Sequence, residues 1–157
     1  MPKHSAGILC YKFSGKQLFV FLIHPGGPFF AKKDLGAWSI PKGEINENEN
    51  PLDAAKREFK EETSFDVGGN FIELKPVKQN SGKIVHAWAL QAELDASKMQ
   101  SNFFGLEWPP NSGKILQFPE ADKAAWFTVE EAKKKILKGQ LPIIDELVKK
   151  LGQENQG

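Results

Sequence analysis

Glu58, Glu61 and Glu62 lie close together in a stretch with helical character. On a helix turning about 100° per residue they share an arc of about 100°. That arc flanks an apolar stripe of Leu52, Ala55, Phe59 and Thr63. Glu58 and Glu62 are an i,i+4 pair, and Glu58 and Glu61 an i,i+3 pair. Each like-charge spacing costs a helix about 0.2–0.5 kcal/mol. All three also sit toward the helix C-terminus, where the macrodipole disfavours negative charge. A hard divalent cation reverses the sign of this cost, because Mg²⁺ and Mn²⁺ take oxygen ligands. The plain alternative is a solvated acidic face, and the neighbouring residues decide between the two. Arg57 is the one arginine among 21 basic residues. Arginine differs from lysine by a planar five-donor fork that holds carboxylates in fixed geometry.

Positioning these groups requires a helix over 51–63. Asn50 suits its N-cap and Pro51 its first turn. Before it, residues 5–13 and 17–24 read as a hairpin around Ser14-Gly15-Lys16. His24-Pro25-Gly26-Gly27-Pro28 opens a loop, and Trp38-Ser39-Ile40 is a short extended piece. After it, 71–79 and 83–94 read as strands around Ser81-Gly82-Lys83. Residues 95–119 read as irregular, long for a loop and therefore a functional candidate. Residues 124–127 form a strand. Thr128 and Glu131 have capping-box spacing for a helix to about Lys138, stopped by Gly139. A last helix carries Ile143, Ile144, Leu147, Val148 and Leu151, and 153–157 reads as a disordered tail. The expected fold is α+β, an α/β/α sandwich with a mixed sheet flanked by helices, forming one domain over 1–152.

Gly43, Glu49, Arg57-Glu58-Phe59, Glu61-Glu62 and Phe65 give the pattern Gly-x5-Glu-x7-Arg-Glu-Phe-x-Glu-Glu-x-x-Phe. It resembles the signature of the Nudix hydrolases, and Trp38-Ser39-Ile40-Pro41-Lys42-Gly43 resembles that family's entry into its loop–helix–loop box. One position departs, since Ser64 stands where the signature has glycine. The resemblance implies one to three divalent cations, Mg²⁺ or Mn²⁺, held by Glu58, Glu61, Glu62 and the Gly43 carbonyl. It implies that Arg57 orients the carboxylates with Glu49 as its partner, and that Lys42 contacts phosphate. It implies attack of water on a phosphorus of a nucleoside diphosphate derivative. The general base is left among Glu58, Glu107 and Glu120. Glu120 is favoured because Phe118-Pro119-Glu120 before Trp126-Phe127 is similar to the acidic loop of dinucleoside-polyphosphate and RNA-pyrophosphohydrolase members.

Substrate choice falls outside the box. Phe29 or Phe30 offers a face for a base, and Lys32, Lys33 and Lys83 offer charge for phosphate. His86 reads as lining the cleft. No Gly-x4-Gly-Lys-Ser/Thr and no Gly-x-Gly-x-x-Gly is present. The chain has 157 residues, is 40% hydrophobic and 26% charged, and carries a formal charge of +1. That excludes a disordered or collagenous chain and argues against a nucleic-acid partner. Its longest apolar run, Leu18 to Ile23, is too short to span a bilayer. One cysteine, Cys10, points to a reducing, cytoplasmic setting. The expected partner is a small-molecule nucleotide, and oligomeric state is left open. The resemblance is strongest to the diadenosine tetraphosphate hydrolase branch, which implies cleavage to AMP and ATP. A MutT-type nucleoside triphosphate pyrophosphohydrolase, an RNA 5′ pyrophosphohydrolase and a non-catalytic nucleotide sensor are the other expectations.

Overall fold

A computed structural model describes residues 3–156. The strands are β1 (His4–Ser14), β2 (Gln17–Pro25), β3 (Lys42–Glu44), β4 (Ile72–Glu73), β5 (Val77–Lys78), β6 (Ile84–Gln91), β7 (Phe103–Glu107), β8 (Ile115–Pro119) and β9 (Ala121–Thr128). The helices are α1 (Pro51–Thr63), α2 (Val129–Lys135) and α3 (Leu141–Gln156). The main sheet runs β4-β6-β1-β2-β9, with β3 added to β1 and β5 to β6. Among the named strands of the described residues β1 and β6 pair in parallel and the other pairs are antiparallel, so the sheet is mixed.

Alternating side chains of the sheet divide the interior into two layers. Ala6, Ile8, Cys10, Phe21 and Ile23 face α1, where Ala54, Ala55 and Phe59 are buried. Leu9, Tyr11, Val20, Leu22 and Val85 face the other way, onto Ile143, Ile144, Leu147 and Leu151 of α3. The expected stripe of α1 is thus buried at Ala55, Phe59 and Thr63, with Ala54 added and Leu52 only half-buried.

One edge of β1 is shared, and this opens the sheet. Its end, Tyr11–Ser14, pairs with β2, while its start, Ser5–Gly7, pairs with β3. The segment 38–41 fills the gap between those partners. Ser39 forms a two-way bridge with Ile23, and the Ile8 amide donates to the Pro41 carbonyl at 3.2 Å. Buried Gln140 fastens the segment from the far side. Its side chain accepts from the Ile40 amide at 3.1 Å and donates to Ser39 Oγ at 2.9 Å. Satisfying an otherwise orphaned buried amide this way avoids a penalty of about 1–3 kcal/mol.

Several expected elements are corrected. The 71–79 strand is two short strands, because Pro76 lies between them and has no amide to donate to a ladder. The 95–119 segment is not irregular. After a short 3₁₀ turn it forms the β7–β8 hairpin, paired from Phe103↔Pro119 to Glu107↔Ile115. Its long connection, Trp108 to Lys114, hid the pairing from a pattern tuned to tight turns. The helix begun by the Thr128–Glu131 capping box ends at Lys135 rather than Lys138. The last helix, α3, is bounded Leu141–Gln156, and Gly157 lies outside the described residues.

Ser64 caps α1 in the left-handed region, at φ 69°, and its amide donates to the Lys60 carbonyl at 2.8 Å. The departure from glycine therefore keeps the glycine conformation. Ser64→Gly should raise stability by about 0.5–1 kcal/mol, the left-handed cost less the extra unfolded-state entropy of glycine. Urea unfolding of the two proteins measures it, and equal midpoints would contradict the account.

Candidate active site

Asn50 starts α1 by accepting hydrogen bonds from the amides of Leu52 and Asp53. With that end fixed, Phe59 packs against Phe21 of the sheet, and the adjoining face of the helix looks toward β3. The approach is close. A Cβ on Gly43 would fall 2.0 Å from the Glu58 carboxyl carbon, so only glycine leaves that carboxylate its place. The Lys42 amide donates to Glu62 Oε2 at 3.0 Å.

Arg57 gathers the surrounding acids. Its Nε and Nη2 donate to both oxygens of Glu49, at 2.9 and 3.0 Å. Nη1 donates to Glu58 Oε1 at 2.7 Å, with Glu61 farther off at 3.4 Å. Nη2 also donates to the Glu44 carbonyl. Glu49 in turn accepts from the Asn46 amide, which ties the loop before α1 to the same fork. Lysine, a point charge, has no geometry with which to do this.

Two joined cavities lie beside this face. The polar one, about 230 Å³, is lined by Lys42, Gly43, Glu58, Glu62, Lys83, Asn102 and Glu120, with Glu44. The other, about 220 Å³, has walls of Ile23, Pro25, Phe30, Ala37, Ile40 and Leu137, with Ser39. Lys42, Glu62 and Glu120 belong to both and form the seam. The apolar cavity opens where 38–41 fills the divided sheet.

The seam is electrostatically costly. Burial, then repulsion from Glu58 and Glu120, pushes the Glu62 carboxyl up to about 8 against the pull of the Lys42 amide and charge. Burial also raises Glu58, although Arg57 opposes the rise. Glu120, at the exposed rim, is raised by partial desolvation and then by the charge of Glu61. Burial and the neighbouring Lys83 charge hold the Lys42 ammonium below its ordinary value. Arg57 is raised, chiefly by its bond to Glu49.

A hard divalent cation fits this donor set, because buried carboxylate oxygens repelling one another around a glycine cradle lose that repulsion when a cation neutralises them. Glu58 and Glu62 are the side chains that would hold it, with Gly43 at the same cavity, Glu61 beside them and Glu120 at the rim. Among the described residues no ready-made cage of three such side chains stands at one point. Glu58 is turned onto Arg57 and Glu62 onto the Lys42 amide.

The remaining candidates divide. Phe30 lines the apolar cavity and Lys83 the polar one. Lys33 lines neither; its ammonium lies 5.6 Å from the Phe30 ring centre, and its carbonyl accepts from buried His24. His86 is not brought to the seam, because it is stacked on His4 with their ring nitrogens 2.9 Å apart. Glu107 accepts from the Asn111 amide in the β7–β8 connection and belongs to neither cavity. Sequence reading missed Asn102. Its amide donates to the Glu61 carbonyl and its carbonyl accepts from the Glu120 amide, so it joins α1 to the acidic rim. Nothing in a lone asparagine before an unrecognised strand could signal that role.

Ionising Glu62 in the metal-free protein should cost stability. Its folded value lies above the ordinary 4.5, so its stabilising effect is complete below that value and is lost as pH rises toward about 8. Urea unfolding in chelator across this window should show the loss for wild type and a flatter profile for Glu62→Gln. Parallel profiles would contradict the strained carboxylate.

A family model of the Nudix domain matches residues 1–147. An RNA pyrophosphohydrolase of Bartonella henselae (strain ATCC 49882 / DSM 28221 / CCUG 30454 / Houston 1) is 38% identical over 67 residues, which are 40% of this chain and 36% of that protein. The match thus spans little more than a third of that relative. Among solved structures, the Nudix domain of Shewanella oneidensis NrtR, complexed with ADP ribose, superposes with a TM-score of 0.68 at 16% identity, over 96% of this chain and 89% of the other. A C. elegans Ap4A hydrolase binary complex gives 0.66 at 18% identity, over 95% and 98%. At such identities the superpositions speak for the fold, a mixed sheet between helices. With the box geometry and a family match over nearly its whole length, the chain belongs to the Nudix family.

Proposed function

We propose that this protein hydrolyses a phosphoanhydride bond in a nucleoside diphosphate derivative, that its substrate is a dinucleoside polyphosphate such as diadenosine tetraphosphate, and that it works in the cytoplasm on small nucleotides with Mg²⁺ or Mn²⁺. The observation that carries this reading is the seam. An apolar cavity suited to one ring system meets a carboxylate and lysine cavity suited to phosphates across Lys42, Glu62 and Glu120. A pyrophosphate joined to a nucleoside has the same two chemistries side by side.

When bound, one to three divalent ions supply charge neutralisation of the pyrophosphate and a lower pKa for the attacking water. The rest falls to the chain. Lys42 and Lys83 face the polar cavity and bind phosphate oxygens. Arg57 holds Glu58 and Glu49 still. Glu120 stands at the rim as the favoured base, taking a proton from water as its oxygen bonds phosphorus and the anhydride oxygen leaves. Partial desolvation and the neighbouring Glu61 charge raise its carboxyl above the ordinary carboxylate value, which makes it a stronger proton acceptor. Glu107 is dropped as a base, since the structure ties it to a turn away from both cavities. His86 and Lys33 are dropped as direct phosphate or base contacts.

The Bartonella relative's name favours a second reading, removal of pyrophosphate from an RNA 5′ end. The net charge of +1 weighs against it, because affinity for a nucleic-acid backbone rests on cationic surface. The test is product analysis by ion-exchange chromatography with diadenosine tetraphosphate and Mg²⁺. AMP and ATP are expected from wild type. Glu120→Gln should lower kcat about 100-fold or more if it is the base, and a drop below about threefold would remove that role. Release of pyrophosphate from a nucleoside triphosphate or an RNA 5′ end, with diadenosine tetraphosphate untouched, would overturn the substrate assignment.

A further inference from the structure

The apolar cavity is too small for a whole dinucleotide. Its 220 Å³ lies below the 300–1,000 Å³ usual for drug-sized ligands. A substrate with two bases must place the second ring elsewhere, and the structure has an unused aromatic surface next door. Phe30 lines the cavity, while its neighbour Phe29 turns outward and is 59% exposed. Phe29 meets Trp108 edge to face, with ring centres 5.3 Å apart. Trp108 lies just past β7, at the tip of the hairpin whose foot ends beside Glu120.

This pair is built to stay in register with the seam. The Gly26 amide donates to the Glu120 carbonyl at 3.0 Å. A Cβ on Gly26 would lie 1.9 Å from the Pro119 carbonyl oxygen, and Gly27, at φ 97°, passes the Phe104 ring. Two glycines therefore let the Phe29 loop lie directly on the hairpin that carries Trp108. Phe29 is exposed and Trp108 half-buried, so the pair presents aromatic ring surface on which a base can stack. Lys33 adds a cation over the Phe30 ring.

We infer that Phe29 and Trp108 form an outer stacking platform for the second nucleobase of a dinucleoside polyphosphate, the first base occupying the Phe30 cavity. This rests on the proposed function and deepens it. The platform makes selectivity for two-base over one-base substrates a property of these two residues, which touch no carboxylate of the seam.

The test compares diadenosine tetraphosphate with ATP. Base-on-aromatic stacking is worth about 5- to 100-fold in affinity. Trp108→Ala and Phe29→Ala should each lower the ratio of kcat/KM for diadenosine tetraphosphate over ATP by about tenfold, through KM, and Trp108→Phe should restore most of it. A companion readout is intrinsic tryptophan fluorescence. Quenching by diadenosine tetraphosphate at concentrations where ATP quenches little should vanish in Trp108→Phe. An unchanged ratio in both alanine variants overturns the platform. Quenching with no turnover of either nucleotide would keep the platform and overturn the hydrolase reading instead. Wild type that turns over 5′-triphosphorylated RNA in preference to diadenosine tetraphosphate also overturns it.

Discussion

Crowding of carboxylates against a strand is the constraint around which this molecule is arranged. Glu58 and Glu62 flank buried Phe59 and reach β3, Glu58 over Gly43, where a side chain would take the place of its carboxylate, and Glu62 onto the Lys42 amide. A side chain at position 43 would displace the Glu58 carboxylate. Arg57 answers the charge on one side, with bidentate bonds to Glu49 and a third to Glu58. Nothing comparable answers Glu62, which has a backbone amide and the depressed, half-buried Lys42. The fold carries this cost in the metal-free state.

The second feature is the split along β1. A strand that pairs with β2 at one end and β3 at the other must leave a wedge between them. The wedge is closed at the back by 38–41 and Gln140, and stays open at the front as the apolar cavity. Apolar ring and charged phosphate subsites are therefore adjacent for a topological reason. The loop after β2 and the hairpin β7–β8 are then laid across the same opening. The loop is tied to the sheet by His24, whose two ring nitrogens contact Asp122 of β9 and the Lys33 carbonyl, and by Trp38, which donates to Asp34.

Local physics fails most informatively at these places. Three acids at like-charge spacing near a helix C-terminus, a serine in a left-handed cap and a phenylalanine exposed beside a tryptophan each run against local preference. Two of the three lie in the box and the third borders the cavity. Violations of local consistency concentrate where function asks for them.

How much was legible in the chain follows from the range of the interactions. The bounds of α1, its cap, the acidic arc and three of the four expected stripe residues depend on neighbours three or four residues apart, so spacing alone placed them. Arg57's partner could be named because signature and helix fall in one short stretch. The β7–β8 hairpin, Asn102's link between Glu61 and Glu120, and the Phe29–Trp108 contact depend on pairings across long loops, which no local period encodes. The same holds for His86, whose position beside His4 comes from the parallel β1–β6 register. Sequence determined which groups bear charge and on which face of α1 they stand. Tertiary structure decided which of them meet, because burial and close approach, summed over elements far apart in the chain, set both the geometry of the seam and its electrostatics.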